Sequence, residues 1–335
     1  MKLILDCFGG DRGCEPIIRA AEKAVATVPD LTLVLVGDEN KIRNCMTESS
    51  GQIEILHAPD VVTGEDKPSD AVRLKRESSM MKAIRALREN DSANGLISVG
   101  PTGVLITAAT LRIGRIDGIL RPAFCPIIPT VSGGIVGICD SGANVECKPE
   151  MLWQFAIMGN EYLKSAYNIP SPRIALLNVG TESEKGDDLH KLAYQLLRDE
   201  EEIDFVGNME SRDLLSGAYD LVVCDGFSGN VLVKSTEGCA IELMKKIKKD
   251  IYSKTRYKLG AVFLKSMFAE EKEFMNYQNY GGSVMLGTEK IIVKGHGSSD
   301  ASAVYKCIEQ ALMMSGNRMN ERIAEMIKRE EEKRV

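Results

Sequence analysis

Short β-branched runs alternate with longer stretches of helical period along this chain, and that alternation limits the fold more than any other feature. The runs are KLILD (2–6), LTLVLVG (31–37), IEILHA (53–58), GLISVG (95–100), FCPIIPT (124–130), IVGICD (135–140), RIALLNVG (173–180), IDFVGN (203–208), LVVCDG (221–226) and KIIVKG (290–295). Most are apolar at successive positions, so both faces of each strand need covering. Between them the apolar spacing predicts helices over 15–28, 69–90, 102–113, 149–168, 186–199, 229–252 and 300–330. Strand and helix in repeated succession imply crossover connections around a mainly parallel sheet. The expected fold is therefore α/β, a three-layer α/β/α arrangement.

Composition narrows the setting. A chain of 335 residues with 44% hydrophobic and 27% charged residues buries a large core and suits an ordinary soluble protein. The expected organisation is one catalytic α/β domain over 1–330, with 229–280 as a helical excursion and 331–335 as a charged tail. A net charge of −6 argues against a general nucleic-acid binder, which needs basic residues to displace the counterions of phosphates. The nine cysteines form no CxxC pair, and the apolar run in MKLILDCFGG is too short for a signal peptide. These features lead us to expect a cytoplasmic protein with free thiols.

In a parallel sheet the C-terminal strand ends share one edge, where open α/β folds bind ligands. Here those ends carry Asp6-Cys-Phe-Gly-Gly-Asp11, Ser98-Val-Gly-Pro-Thr-Gly103, Asp140-Ser-Gly-Ala-Asn144, Asn178 to Gly186, Gly207 to Asp213, Asp225-Gly-Phe-Ser-Gly-Asn230 and Val293 to Asp300. Glycine admits close backbone approach, and a helix start offers unpaired N–H groups to an anion. Any single loop is explained by the needs of a turn and a cap. Seven together, with Lys185, Arg212 and His296 among them, point to an anion site.

The wording of these loops resembles the bacterial phosphate acyltransferases of the PlsX type. The resemblance rests on GGD (9–11), SSM (78–80), TG (102–103), GAN (142–144), KPE (148–150), QFAIMG (154–159), CDGF (224–227), GN (229–230), YGG (280–282) and HGSSD (296–300). Three loops depart from the family pattern: DCFGGD replaces DAMGGD, SVGPTG replaces SAGNTG, and DSGAN replaces DVGAN. No role is assigned to Pro101, which lacks the amide side chain and the backbone N–H usual there. The resemblance implies an isopropylmalate dehydrogenase/phosphotransacetylase-like fold. It also implies transfer of a fatty acyl group from acyl carrier protein to inorganic phosphate, giving acyl phosphate for phospholipid synthesis, with no cofactor. The implied partners are a second copy of the chain, acyl carrier protein, a membrane glycerol-3-phosphate acyltransferase that uses acyl phosphate, and an anionic membrane surface on the inner face of the cell membrane. Two alternatives remain at this point: a phosphotransacetylase-like enzyme using acyl-CoA, and a non-catalytic protein that binds a phosphorylated ligand. A dehydrogenase is disfavoured, because no GxGxxG follows a strand.

Side-chain chemistry gives the expected roles. Phosphate is already anionic near neutral pH, so the enzyme's task is to hold it and to stabilise the oxyanion of the tetrahedral intermediate. His296, between two glycines, can hydrogen-bond phosphate, stabilise the oxyanion or protonate the departing thiolate, while Ser298, Ser299 or Asp300 caps the next helix; the alternative is a histidine satisfied by its own turn. Lys185 and Arg212 either grip phosphate or pair with Glu182, Glu184, Glu210 or Asp213. Asn230 either donates to phosphate or the oxyanion, or caps a helix, and Asn144 is similar. Gly9, Gly10, Asp11, Thr102, Gly103, Gly180, Asp225, Gly229, Ser298 and Ser299 complete the expected substrate-binding set. Asp11, Asp140 and Asp225 are expected to anchor loop amides rather than hold magnesium, and Cys139 and Cys224 to pack. Finally, RYKLGAVFLKSMFAEEKEFMNY (256–277) reads as part of a helical hairpin. Its tip residues Leu259, Val262, Phe263 and Leu264, with cations nearby, suit a membrane surface, a dimer contact or a lid over the acyl chain.

Overall fold

A computed structural model describes residues 1–274 and 280–334. Residues 275–279 of the expected excursion and residue 335 of the tail lie outside the described residues. The strands are β1 (Lys2–Asp6), β2 (Thr32–Gly37), β3 (Ile53–His57), β4 (Ala93–Ser98), β5 (Ala123–Cys125), β6 (Ile127–Pro129), β7 (Ile135–Cys139), β8 (Arg173–Asn178), β9 (Asp204–Glu210), β10 (Leu221–Val223), β11 (Ser283–Leu286) and β12 (Ile291–Lys294). The helices are α1 (Glu15–Thr27), α2 (Glu39–Cys45), α3 (Pro68–Leu74), α4 (Ser79–Glu89), α5 (Thr102–Arg112), α6 (Pro149–Tyr167), α7 (Asp188–Arg198), α8 (Gly226–Ser253), α9 (Thr255–Phe263), α10 (Lys265–Phe274), α11 (Ala301–Gly316) and α12 (Met319–Arg334).

The strands form two sheets, in the orders β3-β2-β1-β4-β12-β11-β5 and β6-β7-β10-β8-β9. All pairings are parallel except those of β11 with β12 and β5, and of β6 with β7. The expected FCPIIPT strand is divided between the sheets at Pro126. Proline has no N–H to give a ladder, while its carbonyl still accepts from Ile138 N at 3.1 Å. The segment therefore hinges from one sheet to the other without leaving the core.

Alternation along each strand feeds two faces. Leu3, Leu5, Leu33, Leu35, Ile97, Ile291 and Val293 face α1, α6 and α11, whereas Ile4, Val34, Val36, Leu96 and Ile292 face α4 and α5. In the second sheet Ile174, Leu176, Leu221 and Val223 belong to the same continuous core as α6 and α7, and Val136, Ile138, Ala175 and Val222 lie on the other face. Helix α6 touches strands of both sheets and is buried at every position from Met151 to Leu163. Each fully buried aliphatic side chain there contributes about 1.5–3 kcal/mol, so α6 welds the sheets together.

Several expected boundaries move. The 69–90 segment is two helices, because the buried Ser78 turns the chain and caps α4 through Met81 N. The 300–330 segment breaks before α12, where Arg318 takes a left-handed φ of 54°. Helix α8 begins three residues earlier than expected, at Gly226, and buries only Gly226, Gly229, Leu232 and Val233. Beyond Val233 it leaves the body, and α9 and α10 return beside it. The short α2 and β11 had no signal strong enough to predict them.

Candidate active site

Strands β1, β4 and β12 are neighbours, so the loops after them meet although they are far apart in sequence. Asp11 N donates to Gly297 O at 2.8 Å. Gly9 has a φ of +94°, and a Cβ on it would lie 3.1 Å from Gly100 Cα, so the turn needs glycine both for its dihedral and for its closeness to the β4 loop. Pro101 packs beside Gly9 and stands at the N-cap of α5, where its missing N–H leaves no helical bond unmade. Thr102 and Gly103 open that helix.

Beneath these loops Asp6 is almost fully buried and accepts from Ser98 Oγ at 2.7 Å, while Ser98 Oγ accepts from Gly100 N at 3.1 Å. Burial raises the Asp6 carboxyl to about 6, against hydrogen bonds and the charge of Lys294. Burial likewise lowers Lys294 to about 8, and its ammonium donates to Gly295 O. Lys294 escaped the sequence reading because a lysine at a strand end usually marks the solvent boundary.

His296 follows directly. Its Nδ1 lies 2.8 Å from Ser298 Oγ and accepts from Ser298 N at 3.2 Å. A backbone N–H can only donate, so Nδ1 is the acceptor and the neutral ring carries its proton on Nε2. Burial lowers the His296 pKa, and the charges of Lys294 and Lys234 lower it further, with Glu237 and Asp11 opposing. His296 is thus a neutral imidazole at physiological pH. Of the expected caps, Asp300 holds α11 by accepting from Ala303 N at 3.0 Å; Ser298 serves the imidazole, and Ser299 is buried with its N–H on His296 O.

The second wall comes from the other sheet. Asp140 is fully buried and accepts from the N–H groups of Phe124, Gly142, Ala143 and Asn144 at 2.6–3.2 Å. Asp225 caps α8 through Ser228 N at 2.9 Å. Asp140 therefore anchors a loop and Asp225 a helix start. Asn144 gives its amide to Pro122 O and Asp140 Oδ2, so its donors tie the loop together. Asn230 is not a cap: it lies inside α8 with its carboxamide against Gly142. A Cβ at Gly229 would overlap the Asp140 carbonyl oxygen, which is why the helix can come this close only with glycine there. Cys139 and Cys224 are fully buried, and burial pushes both thiols well above their ordinary range, which fits packing.

Helix α8 links the two walls, since Lys234, one turn after Asn230, acts electrostatically on both His296 and Lys294. Lys185 and Arg212 are placed differently. They stand in the loops after β8 and β9, the last two strands of the second sheet. The Lys185 stem lies over Gly180 and its ammonium is 3.9 Å from Glu182, while Arg212, 76% exposed, pairs with Glu210. Each takes the local ion pair that was the alternative to a phosphate contact. Among the described residues, the cations whose charges act most on His296 are Lys294 and Lys234.

Comparison with known proteins agrees with this architecture. A family model described as "Fatty acid synthesis protein" matches residues 1–322. A phosphate acyltransferase of Halalkalibacterium halodurans is 44% identical over 330 residues, covering 98% of this chain and 96% of that protein. The Bacillus subtilis phosphate acyltransferase is 42% identical, covering 98% and 99%. Among solved structures, a phosphotransacetylase from Streptococcus pyogenes superimposes with a TM-score of 0.62 at 15% identity, covering 94% of each chain. A 4-hydroxythreonine-4-phosphate dehydrogenase from Klebsiella pneumoniae gives 0.52 at 14% identity, covering 94% and 99%. The last two share the fold; the sequence relatives and the family model together show that this chain belongs to the phosphate acyltransferase family of the PlsX type.

Proposed function

We propose that the protein transfers a fatty acyl group from the thioester of acyl carrier protein to inorganic phosphate, releasing acyl phosphate for phospholipid synthesis. Family membership supports the acyl transfer to phosphate. The observation that carries the assignment to this site is the meeting of the 9–13, 99–103 and 295–299 loops around a neutral His296 beside Lys294 and Lys234.

In this reading phosphate sits among the loop amides with Lys294 and Lys234 balancing its charge. One phosphate oxygen forms a bond to the acyl carbon, the carbonyl electrons move onto oxygen, and the C–S bond then breaks with sulfur leaving as thiolate. His296 Nε2–H and the Asn230 carboxamide are the side-chain donors for the oxyanion; one such donor is worth about 2.7–4 kcal/mol in the transition state. A neutral imidazole suits that role, because it donates without first drawing a proton from the incoming phosphate. The reaction needs no cofactor.

The projecting helices fit a surface role. Phe263 is 88% exposed, and Leu259, Val262 and Leu264 are exposed beside it at the junction of α9 and α10. Lys254, Arg256, Lys258 and Lys265 lie close to them in the sequence, a composition that suits the boundary of an anionic bilayer. Among the described residues no helix is long and apolar enough to cross a membrane. In this reading, as the family resemblance implies, the protein works as a homodimer on the inner face of the cell membrane, passing acyl phosphate to a membrane glycerol-3-phosphate acyltransferase. Incubating the chain with acyl carrier protein thioester and phosphate, and seeking acyl phosphate by mass spectrometry, tests the central reaction. Product only from acyl-CoA would favour the phosphotransacetylase-like alternative, and no product from either would favour a binding protein.

A further inference from the structure

An apolar groove of about 620 Å³ runs from the edge of the second sheet along α8 to α9 and α10. That volume lies within the range of about 300–1,000 Å³ typical of small-molecule sites. One wall is a single face of α8, in which Val233, Glu237, Ala240, Met244, Ile247 and Ile251 recur at spacings of three and four. These six residues span about 27 Å at 1.5 Å per residue. A bilayer core about 30 Å thick holds two opposed fatty chains, so one chain needs about half of that length. The groove is therefore long enough for a fatty chain.

Its floor is a poor template for a different class of occupant. Strand β6 is an edge strand, and an open edge normally recruits another peptide strand through its N–H groups. Pro129 removes one of the donors on that edge, and the side chains of Ile127 and Ile128 add apolar surface. A methylene chain needs none of the lost hydrogen bonds. One end of the groove lies next to the site: Glu237 lines it and pairs with Lys234 at 3.0 Å, and the charges of both act on His296.

We propose that the acyl chain of the thioester lies in this groove between β6 and the Val233–Ile251 face of α8, with its carbonyl at the His296 end, and that Ala240 and Met244 limit the chain length accepted. The proposal rests on the function given above, and its test separates the two. Ala240→Trp and Met244→Trp place bulk in the groove without touching His296 or the loops. Each is expected to raise KM for a palmitoyl thioester about tenfold or more while leaving the butyryl thioester unchanged, in line with the free energy of buried methylenes. Independently of turnover, the wild-type chain is expected to bind the fluorescent fatty acid cis-parinaric acid, with palmitate displacing it and either tryptophan variant losing it. Equal effects on both thioesters, or unaltered probe binding in the variants, overturns the groove assignment. So does a change in oligomeric mass by light scattering with no chain-length bias, which gives the groove to a second copy of the chain. Probe binding that behaves as expected without any acyl transfer leaves the groove standing and removes the proposed reaction.

Discussion

The backbone N–H of Ser298 points at Nδ1 of His296 across 3.2 Å, and this one contact fixes which ring nitrogen faces substrate as a donor. The turn that holds the histidine also selects its tautomer, because an N–H cannot accept. Replacing His296 with Ala is expected to lower acyl phosphate formation at least about tenfold, the low end for a positioned oxyanion or acid–base group. Ser298→Ala, which keeps the backbone donor, is expected to cost less than His296→Ala in the same assay. Wild-type turnover by the His296 variant would remove the imidazole from the mechanism.

The acid limb of the rate profile follows from the charges beside that ring. His296 is held below its ordinary value of 6.5 by burial first and then by Lys294 and Lys234. If the neutral ring is the working form, kcat/KM falls only at pH values below 6.5. Lys294→Gln removes one of the two depressing charges, so the His296 pKa rises and the limb moves to higher pH. An unmoved limb in that variant would dissociate Lys294 from His296.

Lys185 and Arg212 offer the contrasting case. Exposed ion pairs of this kind contribute about 0–1 kcal/mol to stability, and both side chains are already engaged by Glu182 and Glu210. Arg212→Ala is expected to leave KM for phosphate unchanged, whereas Lys294→Gln raises it. Phosphate titrations of the two variants side by side decide between the cations.

Two glycines on one helix should respond oppositely to alanine. At Gly229 a methyl meets the Asp140 carbonyl and the Cys224 sulfur, so α8 must shift, and overpacking of this sort costs about 1–3 kcal/mol. The shift displaces Asn230, so Gly229→Ala is expected to lower both the urea midpoint and activity. Gly238 has nothing near its absent Cβ, and alanine there is expected to stabilise the helix by about 0.5–1 kcal/mol. Urea melts of both variants read the difference.

Asp6 gives stability a pH dependence of definite sign. The native carboxyl keeps its proton to about 6, whereas the unfolded chain releases it near 3.8. Between those values the folded state binds more protons, so stability falls as pH rises through the window, by an amount on the order of 3 kcal/mol. Asp6→Asn removes this slope. Urea melts from pH 4 to pH 7 are expected to show a smaller decline for the variant than for wild type.

At the hairpin tip, Phe263→Asp with Leu264→Asp places two charges on the most exposed apolar point. The double variant is expected to lose binding to anionic liposomes in a flotation assay while keeping turnover of a soluble thioester. Unchanged flotation would count against the tip as the membrane contact.

The amino-acid order by itself determined the alternation of strands and helices, the covering of both sheet faces and the glycine-rich strand ends, because each is a periodicity or a turn chemistry within a few residues. It also carried the family, through many short motifs in a fixed order. Tertiary structure alone decided which loops meet. The order β1-β4-β12 sets Asp11 against Gly297 and puts Lys294 near Asp6, while Lys185 and Arg212 fall on the last two strands of the other sheet. It also decided that Asn230 lies inside α8, since the earlier start depends on Asp225 capping a helix whose glycines fit beneath Asp140 and Asn144. Strand order and helix docking arise from contacts between distant segments, and local spacing carries no record of them.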